Sequence, residues 1–194
     1  MKNIKIIGLA LVLVILLNSC NGDQKTVVGQ DYGDTSFVND SFKGNKKNFS
    51  ELPEDLCEFL DEAAILKGYD NATSVKFDAG SSFINKNCQF NVIFFDDLSQ
   101  YIRGSIFITE NKSEGDGWKE SWEMRKKRFK SAEYVPNLGM ATIWIGKQKK
   151  LEIKMKGYDV MITVPPKMIA KNKIDNEADV KNVAISIAKN TNLF

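Results

Sequence analysis

Between residues 140 and 164 the chain carries strand-like segments in quick succession, and this stretch constrains the fold more than any other. The segments are Met140–Ile145, Leu151–Lys156 and Tyr158–Val164. In the second of them apolar residues alternate with charged ones, which is typical of a strand with one buried face and one solvated face. The reversals between segments are only a few residues long, so neighbouring strands must pair antiparallel. The sequence therefore predicts an antiparallel sheet.

Two further strands and three helices complete the predicted domain. Cys88 to Phe95 alternates with a period of two, and Tyr101 to Thr109 is predicted to return as its hairpin partner. Amphipathic helices are predicted over 50–67, over 118–130 and from about residue 176 onward. Short connections favour an α+β fold, with an antiparallel sheet of about five strands and three helices packed mainly on one face. Residues 50–194 are expected to form this single domain.

An apolar run near the start of the sequence predicts export. Lys2 and Lys5 precede an uninterrupted stretch of aliphatic and small residues from Ile6 to Leu17. The run is too short for a comfortable bilayer span, but its length suits the core of a signal peptide. The alternatives are a secretory signal with an incidental cysteine and an N-terminal membrane helix. The first would prefer small residues at two positions before the cleavage site, and the second would need more apolar residues.

Leu17-Asn18-Ser19-Cys20, which closes this run, resembles the lipobox of bacterial lipoprotein precursors. The resemblance implies cleavage before Cys20, diacylglycerol on its thiol and usually an acyl chain on the new amino group. Two or three chains on one residue anchor a protein stably, whereas a single chain does not. Residues 1–19 are thus expected to be a removed signal peptide, and Cys20 is expected to hold the protein on the lipid bilayer of the cell envelope. In a cell with two membranes, the expected location is the outer membrane.

The segment that follows Cys20 is predicted to be a flexible, lipidated tether over residues 20–49. It is polar, it contains several glycines and scattered charges, and it has neither a helical nor a strand period. Val27-Val28 and Phe37-Val38 are small apolar islands within it. These islands are the alternative to a free tether, because they could dock on the domain instead.

Charge and composition exclude several classes of function. The chain has 27 Lys and Arg residues against 25 Asp and Glu, but Lys2 and Lys5 belong to the predicted signal peptide, so the mature chain is neutral. A neutral chain gives no reason to expect nucleic-acid binding. The chain has no histidine, which removes the commonest general base and the commonest transition-metal ligand. Neither a metal nor another cofactor is expected.

Catalytic motifs are also absent from the sequence. It contains no nucleophile elbow, no phosphate-binding Gly-rich loop with lysine and no dinucleotide-binding glycine fingerprint. Asp96-Asp97 is a pair of acids, but adjacent carboxylates at a strand end normally point apart and mark a turn. A glycosidase with two carboxylates depends on their separation in space, so that alternative stays open. No catalytic residue is predicted.

Cys57 and Cys88 are predicted to form a disulfide. Once Cys20 is committed to lipid, they remain as an even pair in an oxidising compartment. Cys57 borders the apolar face of the first predicted helix, and Cys88 lies in phase with Phe90 on the inward face of a strand, so both sulfurs reach one helix–sheet boundary. Closing this loop would contribute about 3 to 4 kcal/mol in the chain-entropy model. Two free buried thiols are the alternative.

A run of cations at the end of the second predicted helix is the candidate anionic-partner surface. Its members are Arg125, Lys126, Lys127, Arg128 and Lys130. With Trp118 and Trp122 nearby, the run could contact phosphate, anionic lipid or an acidic partner. The alternative is an ordinary solvated helix end, in which cations complement the helix dipole and Glu123 pairs with Lys127 four residues on.

The overall layout has a familiar order. It places one cysteine in an early amphipathic helix, a second in the first strand, and the turn Asn137-Leu138-Gly139-Met140-Ala141 before a strand with Trp144. This layout resembles that of small bacterial envelope lipoproteins of unassigned function. The leading glycine and the aspartate of their Gly-Leu-Gly-Asp turn are replaced here. The resemblance implies a lipid-tethered domain, and it brings no substrate or catalytic residue.

Two classes of function fit these features. The first is a non-enzymatic binding module that holds a small ligand, or an envelope or secreted protein, at the envelope surface. The second is an immunity or inhibitor lipoprotein that neutralises a toxin or a hydrolase. Small size, a tether and the lack of catalytic motifs suit this second class, and an enzyme is the third choice.

Overall fold

The computed structural model describes residues 35–81, 85–112, 115–165 and 177–194, without the side chains of 81 and 177–179. The predicted signal peptide, Cys20 and Val27-Val28 lie outside these residues. The described part of the chain is built on one antiparallel sheet with three α-helices. None of the helices described there is long and apolar enough to cross a membrane.

The sheet has seven strands in the order β1-β2-β3-β7-β6-β5-β4. Their bounds are β1 Ala72–Ser81, β2 Asn85–Phe94, β3 Asp97–Glu110, β4 Ala132–Tyr134, β5 Ala141–Ile145, β6 Lys150–Lys154 and β7 Tyr158–Thr163. The α+β class and the antiparallel pairing are confirmed, but the predicted count of about five strands was too low. The missed strands, β1 and β4, are the two edges of the sheet. Only Val75 is buried along β1, and β4 is three residues long, so neither carries a readable alternation.

The helices are α1 Glu62–Leu66, α2 Gly117–Arg128 and α3 Glu177–Asn190. The single helix predicted over 50–67 is wrong: two 3₁₀ turns, Phe49–Glu51 and Leu56–Phe59, and the short α1 replace it. Leu52 and Leu60 adopt extended backbone angles that interrupt any continuous helix. After each interruption an aspartate starts the next turn, because Asp55 accepts a hydrogen bond from the Cys57 N–H and Asp61 accepts one from the Ala63 N–H.

The larger core lies on the inner face of the sheet, the face that carries Cys88 and Phe90 on β2 and Trp144 on β5. The short α1 and the long α3 pack on this face. Burial alternates along β2 as predicted, with Cys88, Phe90 and Val92 all fully enclosed. The described apolar residues of α3 join the same core. They are Val180, Val183, Ala184, Ile187 and Ala188.

A smaller core lies on the outer face of the sheet, where α2 packs. Trp122 from α2 meets Ile143 and Ile145 of β5, and Phe37 joins them from the N-terminal segment. Both faces of β5 are therefore buried, since Trp144 points into the other core. Of the three helices predicted to lie mainly on one face, α1 and α3 share the inner face and α2 covers the outer one.

The N-terminal segment is packed on the domain from Thr35 to Phe49. Val38 forms a bridge with Ala141, and the side-chain amide of Asn45 donates to the Lys156 carbonyl at 2.6 Å. Phe37 is only 5 % exposed. Phe37 and Val38 therefore dock on the domain, as the alternative to a free tether predicted. The packed part of the chain begins before Ser50.

Candidate functional site

Arg125 of the cation run reaches β6 because Trp122 fixes the end of α2 on the outer face of the sheet. Trp122 is buried, and the Arg125 guanidinium lies 5.6 Å from the centre of its ring. From there Arg125 forms an ion pair with the carboxylate of Glu152 on β6. The Lys150 ammonium lies 2.6 Å from the same carboxylate. The helix end and the strand are thus joined through one acid and two cations.

The basic cleft opens between this helix end and β6, with a volume of about 680 Å³. Its lining residues are Ser121, Met124, Arg125, Lys127, Arg128, Phe129, Lys150 and Glu152. Three of the five predicted cations, Arg125, Lys127 and Arg128, line it. Lys126 and Lys130 do not, and the Lys126 ammonium instead donates to the Ala132 carbonyl and lies 5.5 Å from the centre of the Tyr134 ring.

Positive charge remains in excess within the basic cleft. Arg125 and Lys150 share the one carboxylate of Glu152, and Lys127 pairs with Glu123 at 2.7 Å, as the sequence predicted. The Arg128 guanidinium contacts the Phe129 ring face, 5.6 Å from its centre. The cleft therefore offers both unneutralised cations and apolar surface, including Met124, which is 56 % exposed.

Sequence reasoning missed Lys150 and Glu152 as members of this site. The alternation along β6 predicted that its charged residues face solvent, and this expectation is wrong. Glu152 and Lys154 are buried beside α2, where ion pairs compensate their charge. Opposite charges spaced two residues apart, as in Lys150-Leu151-Glu152, were the only signal in the sequence that such a network exists.

A second cleft of about 650 Å³ lies at the other end of α2. Trp118, Met140 and Met155 provide its apolar lining, and Lys154 and Lys156 contribute cations. The ammonium of Lys154 is already paired with Asp159 at 3.0 Å, and the amide of Asn111 donates to the same carboxylate. A smaller cavity of about 220 Å³ shares Arg125 and Glu152 with the basic cleft and is also lined by Asp159. Of these three cavities in the described part of the chain, the basic cleft is the one that combines several cations with an exposed apolar side chain, Met124.

Asp97 and the buried Tyr158 have structural roles. Asp97 begins β3, directly after the two-residue turn Phe95-Asp96, whose residues both have φ of 56°. Hydrogen bonds from Gln100 and Ser99 lower the pKa of Asp97. The Tyr158 hydroxyl donates to the Lys47 carbonyl at 3.2 Å, and burial raises its pKa to about 12. Asp96-Asp97 thus marks a turn, as predicted. Within the described ranges, no group of three or more Cys, Asp or Glu side chains is placed to hold a metal ion.

The disulfide between Cys57 and Cys88 is present, and its Cα atoms are 5.1 Å apart. It ties the 3₁₀ turn at Leu56–Phe59 to β2 on the inner face, at the helix–sheet boundary that the sequence indicated. The bridge lies on the face opposite the basic cleft. It therefore stabilises the scaffold and does not contribute to the cleft.

No protein-family model, curated protein or solved structure matches the chain. The likeness to envelope lipoproteins therefore rests on the start of the chain, the cysteine pair and the turn at 137–141. In the structure this turn is a tight backbone feature. Asn137 and Gly139 have positive φ, and a Cβ on Gly139 would lie 2.6 Å from both the Ile153 side chain and the Lys154 carbonyl. Packing requires the glycine there.

Proposed function

We propose that the protein is a lipid-anchored envelope lipoprotein that acts as a non-enzymatic binding module. The basic cleft beside α2 is its binding site, and an acidic segment of an envelope or secreted protein is its partner. This proposal rests on one observation: a single open cleft is lined by the cations Lys127, Arg128 and Lys150 and by the exposed Met124. The lipobox-like start of the sequence supports the anchor, with Cys20 as the lipidated residue.

The chemistry of the cleft favours an acidic peptide with apolar side chains. Arg125 and Glu152 form a fixed floor, since their ion pair joins α2 to β6. Lys127 and Arg128 are exposed at the rim and can pair with carboxylates of a partner. Met124 and Phe129 add adaptable apolar surface between these charges. A flat lipid surface would contact the rim cations but would not fill the cleft between α2 and β6.

The test measures binding of a fluorescent peptide that alternates glutamate and leucine. Reversing both rim charges, with Lys127→Glu and Arg128→Glu, should weaken binding at least about tenfold, because two exposed pairs worth up to about 1 kcal/mol each become repulsions. Binding by the unchanged protein should weaken with added salt, since salt screens exposed charges.

The matched control carries the same charge change elsewhere on the surface. Lys43 and Lys67 are exposed and lie outside the cleft lining, so Lys43→Glu with Lys67→Glu should leave peptide binding nearly intact. Equal loss in both double variants would contradict the proposal, because only net charge would then matter. Absence of peptide binding together with salt-sensitive binding to phosphatidylglycerol vesicles would also contradict it, in favour of a lipid surface.

A further inference from the structure

On the side away from β2, the edge strand β1 pairs with no other strand of the described residues. The Val75 N–H donates to the Glu62 carboxylate at 2.9 Å, so the backbone of Val75 points away from β2. Alternate residues of a strand direct their N–H and C=O groups to the same side. Because the register with β2 is unbroken from Ser74 to Ser81, the backbone groups of Phe77 and Ala79 point to this open edge as well.

The side chains along the same stretch are exposed. Lys76, Asp78 and Ala79 are exposed, and Phe77 is 37 % exposed although it lies on the inner face of the sheet, in register with buried Phe90. Within the described residues, Lys76 and Asp78 have no ion-pair partner. An open strand edge with exposed apolar and charged side chains is a template for another strand.

The sequence Lys76-Phe77-Asp78 is complementary to itself in one antiparallel register. A two-fold axis at Phe77 places Lys76 of one copy opposite Asp78 of the other, and the symmetry repeats this pair. The two Phe77 rings then lie side by side on the inner face, and Ala79 of each copy lies opposite Val75 of the other. Moving the axis to Asp78 would place like charges opposite each other, which is destabilising. The charges therefore select one register.

We propose that the protein forms a two-fold symmetric dimer through β1, centred on Phe77. The Phe77 backbones of the two copies exchange a pair of hydrogen bonds, and each Ala79 N–H donates to the Val75 carbonyl of the other copy. The Val75 N–H keeps its bond to Glu62, which ends the ladder at that point. An isologous contact of this kind closes at two copies, because each β1 edge is used once.

Charge reversal tests the proposed register in the full chain, purified in mild detergent and examined by sedimentation velocity over a range of concentrations. Lys76→Asp alone and Asp78→Lys alone should each raise the dimer dissociation constant about tenfold, since both attractive pairs become repulsive. An equimolar mixture of these two variants should dimerise again, because every Asp then meets a Lys. The double variant with both changes should dimerise like the unchanged protein.

The control is Lys43→Asp, which alters an exposed lysine outside β1 and should not change the dissociation constant. At concentrations far below the dimer dissociation constant, circular dichroism should show nearly the same melting temperature for all the variants, because the altered side chains are exposed. A protein that stays monomeric at every concentration would overturn the proposal. A dimer that the single reversals do not weaken, or that the mixture does not restore, would overturn it too.

Discussion

The disulfide is the residue-scale feature with the largest expected effect on stability. Cys57 and Cys88 are 31 residues apart in sequence, so the bridge restricts a substantial loop in the unfolded chain. Cys57→Ala should lower the free energy of unfolding by about 3 to 4 kcal/mol, measured by urea denaturation. Reductant should destabilise the unchanged protein by a similar amount and leave the variant unaffected. Equal stability of the oxidised protein and the variant would show that the bridge contributes nothing.

Tyr158 makes the free energy of unfolding of the domain depend on pH in the alkaline range. Its folded pKa is about 12, whereas an exposed tyrosine titrates near 10. Between these values the unfolded chain loses the phenolic proton while the folded chain keeps it, so this residue's contribution to stability is present below pH 10 and is lost as pH rises toward 12. The measurement is the free energy of unfolding against pH for the unchanged protein and for Tyr158→Phe.

The Tyr158→Phe variant should start less stable at pH 7, by about 1 kcal/mol, because the hydrogen bond to Lys47 is lost. This stability advantage of the unchanged protein should then be lost and reversed as pH rises from 10 to 12, because a pKa raised from 10 to about 12 corresponds to more free energy than one hydrogen bond contributes. A difference that stays constant over this range would contradict the role of Tyr158.

At the scale of single residues, the disulfide could be predicted from the even cysteine pair and from the inward phase of Cys88 on its strand, although the helix on which Cys57 was placed is a 3₁₀ turn. The sequence also identified Arg125, Lys127 and Arg128, because a dense cation run is visible without a structure. It did not identify Lys150 or Glu152. Their role depends on the packing of α2 against β6, and the sequence near either element does not predict that packing.

Among the elements, β6 and α2 depend on each other through buried charge. Glu152 is 9 % exposed and is the shared carboxylate for Arg125 and Lys150. Glu152→Ala should lower the free energy of unfolding by about 1 to 3 kcal/mol, because two partly buried cations lose their partner. Hydrogen exchange of the α2 amides should also accelerate.

Glu110 provides the matched control for this element. It pairs with Lys112, whose side chain is 79 % exposed, at 3.3 Å on the surface. Glu110→Ala should therefore cost less than about 1 kcal/mol and leave the exchange of α2 unchanged. Equal effects of the two substitutions would show that the Glu152 network does not hold α2 in place.

The mistaken elements have local physical causes. The apolar spacing of residues 50–67 suits a helix, but Pro53 and the aspartate caps at Asp55 and Asp61 break it into separate turns. The edge strands β1 and β4 each have a single neighbouring strand, so they need few buried side chains and leave a weak pattern. The central strands were predicted well because both neighbours impose burial on them.

On the scale of the whole molecule, the two faces of the sheet differ in what they carry. The inner face carries the larger core and the disulfide, and the outer face carries α2 and the clefts beside it. The class of the fold followed from short antiparallel connections in the sequence. The position of the clefts did not, because it depends on which face α2 covers, and a weakly apolar helix does not reveal its face.

The proposed function requires that the binding domain be held on the envelope through Cys20. The direct measurement is metabolic labelling with palmitate of cells that produce the full chain or its Cys20→Ser variant, with the mass of each purified protein. The full chain should incorporate label and lose residues 1–19, and the variant should be neither labelled nor cleaved before position 20. A Cys57→Ser variant should be labelled like the unchanged chain. Normal labelling and processing of the Cys20→Ser variant would contradict the lipid anchor.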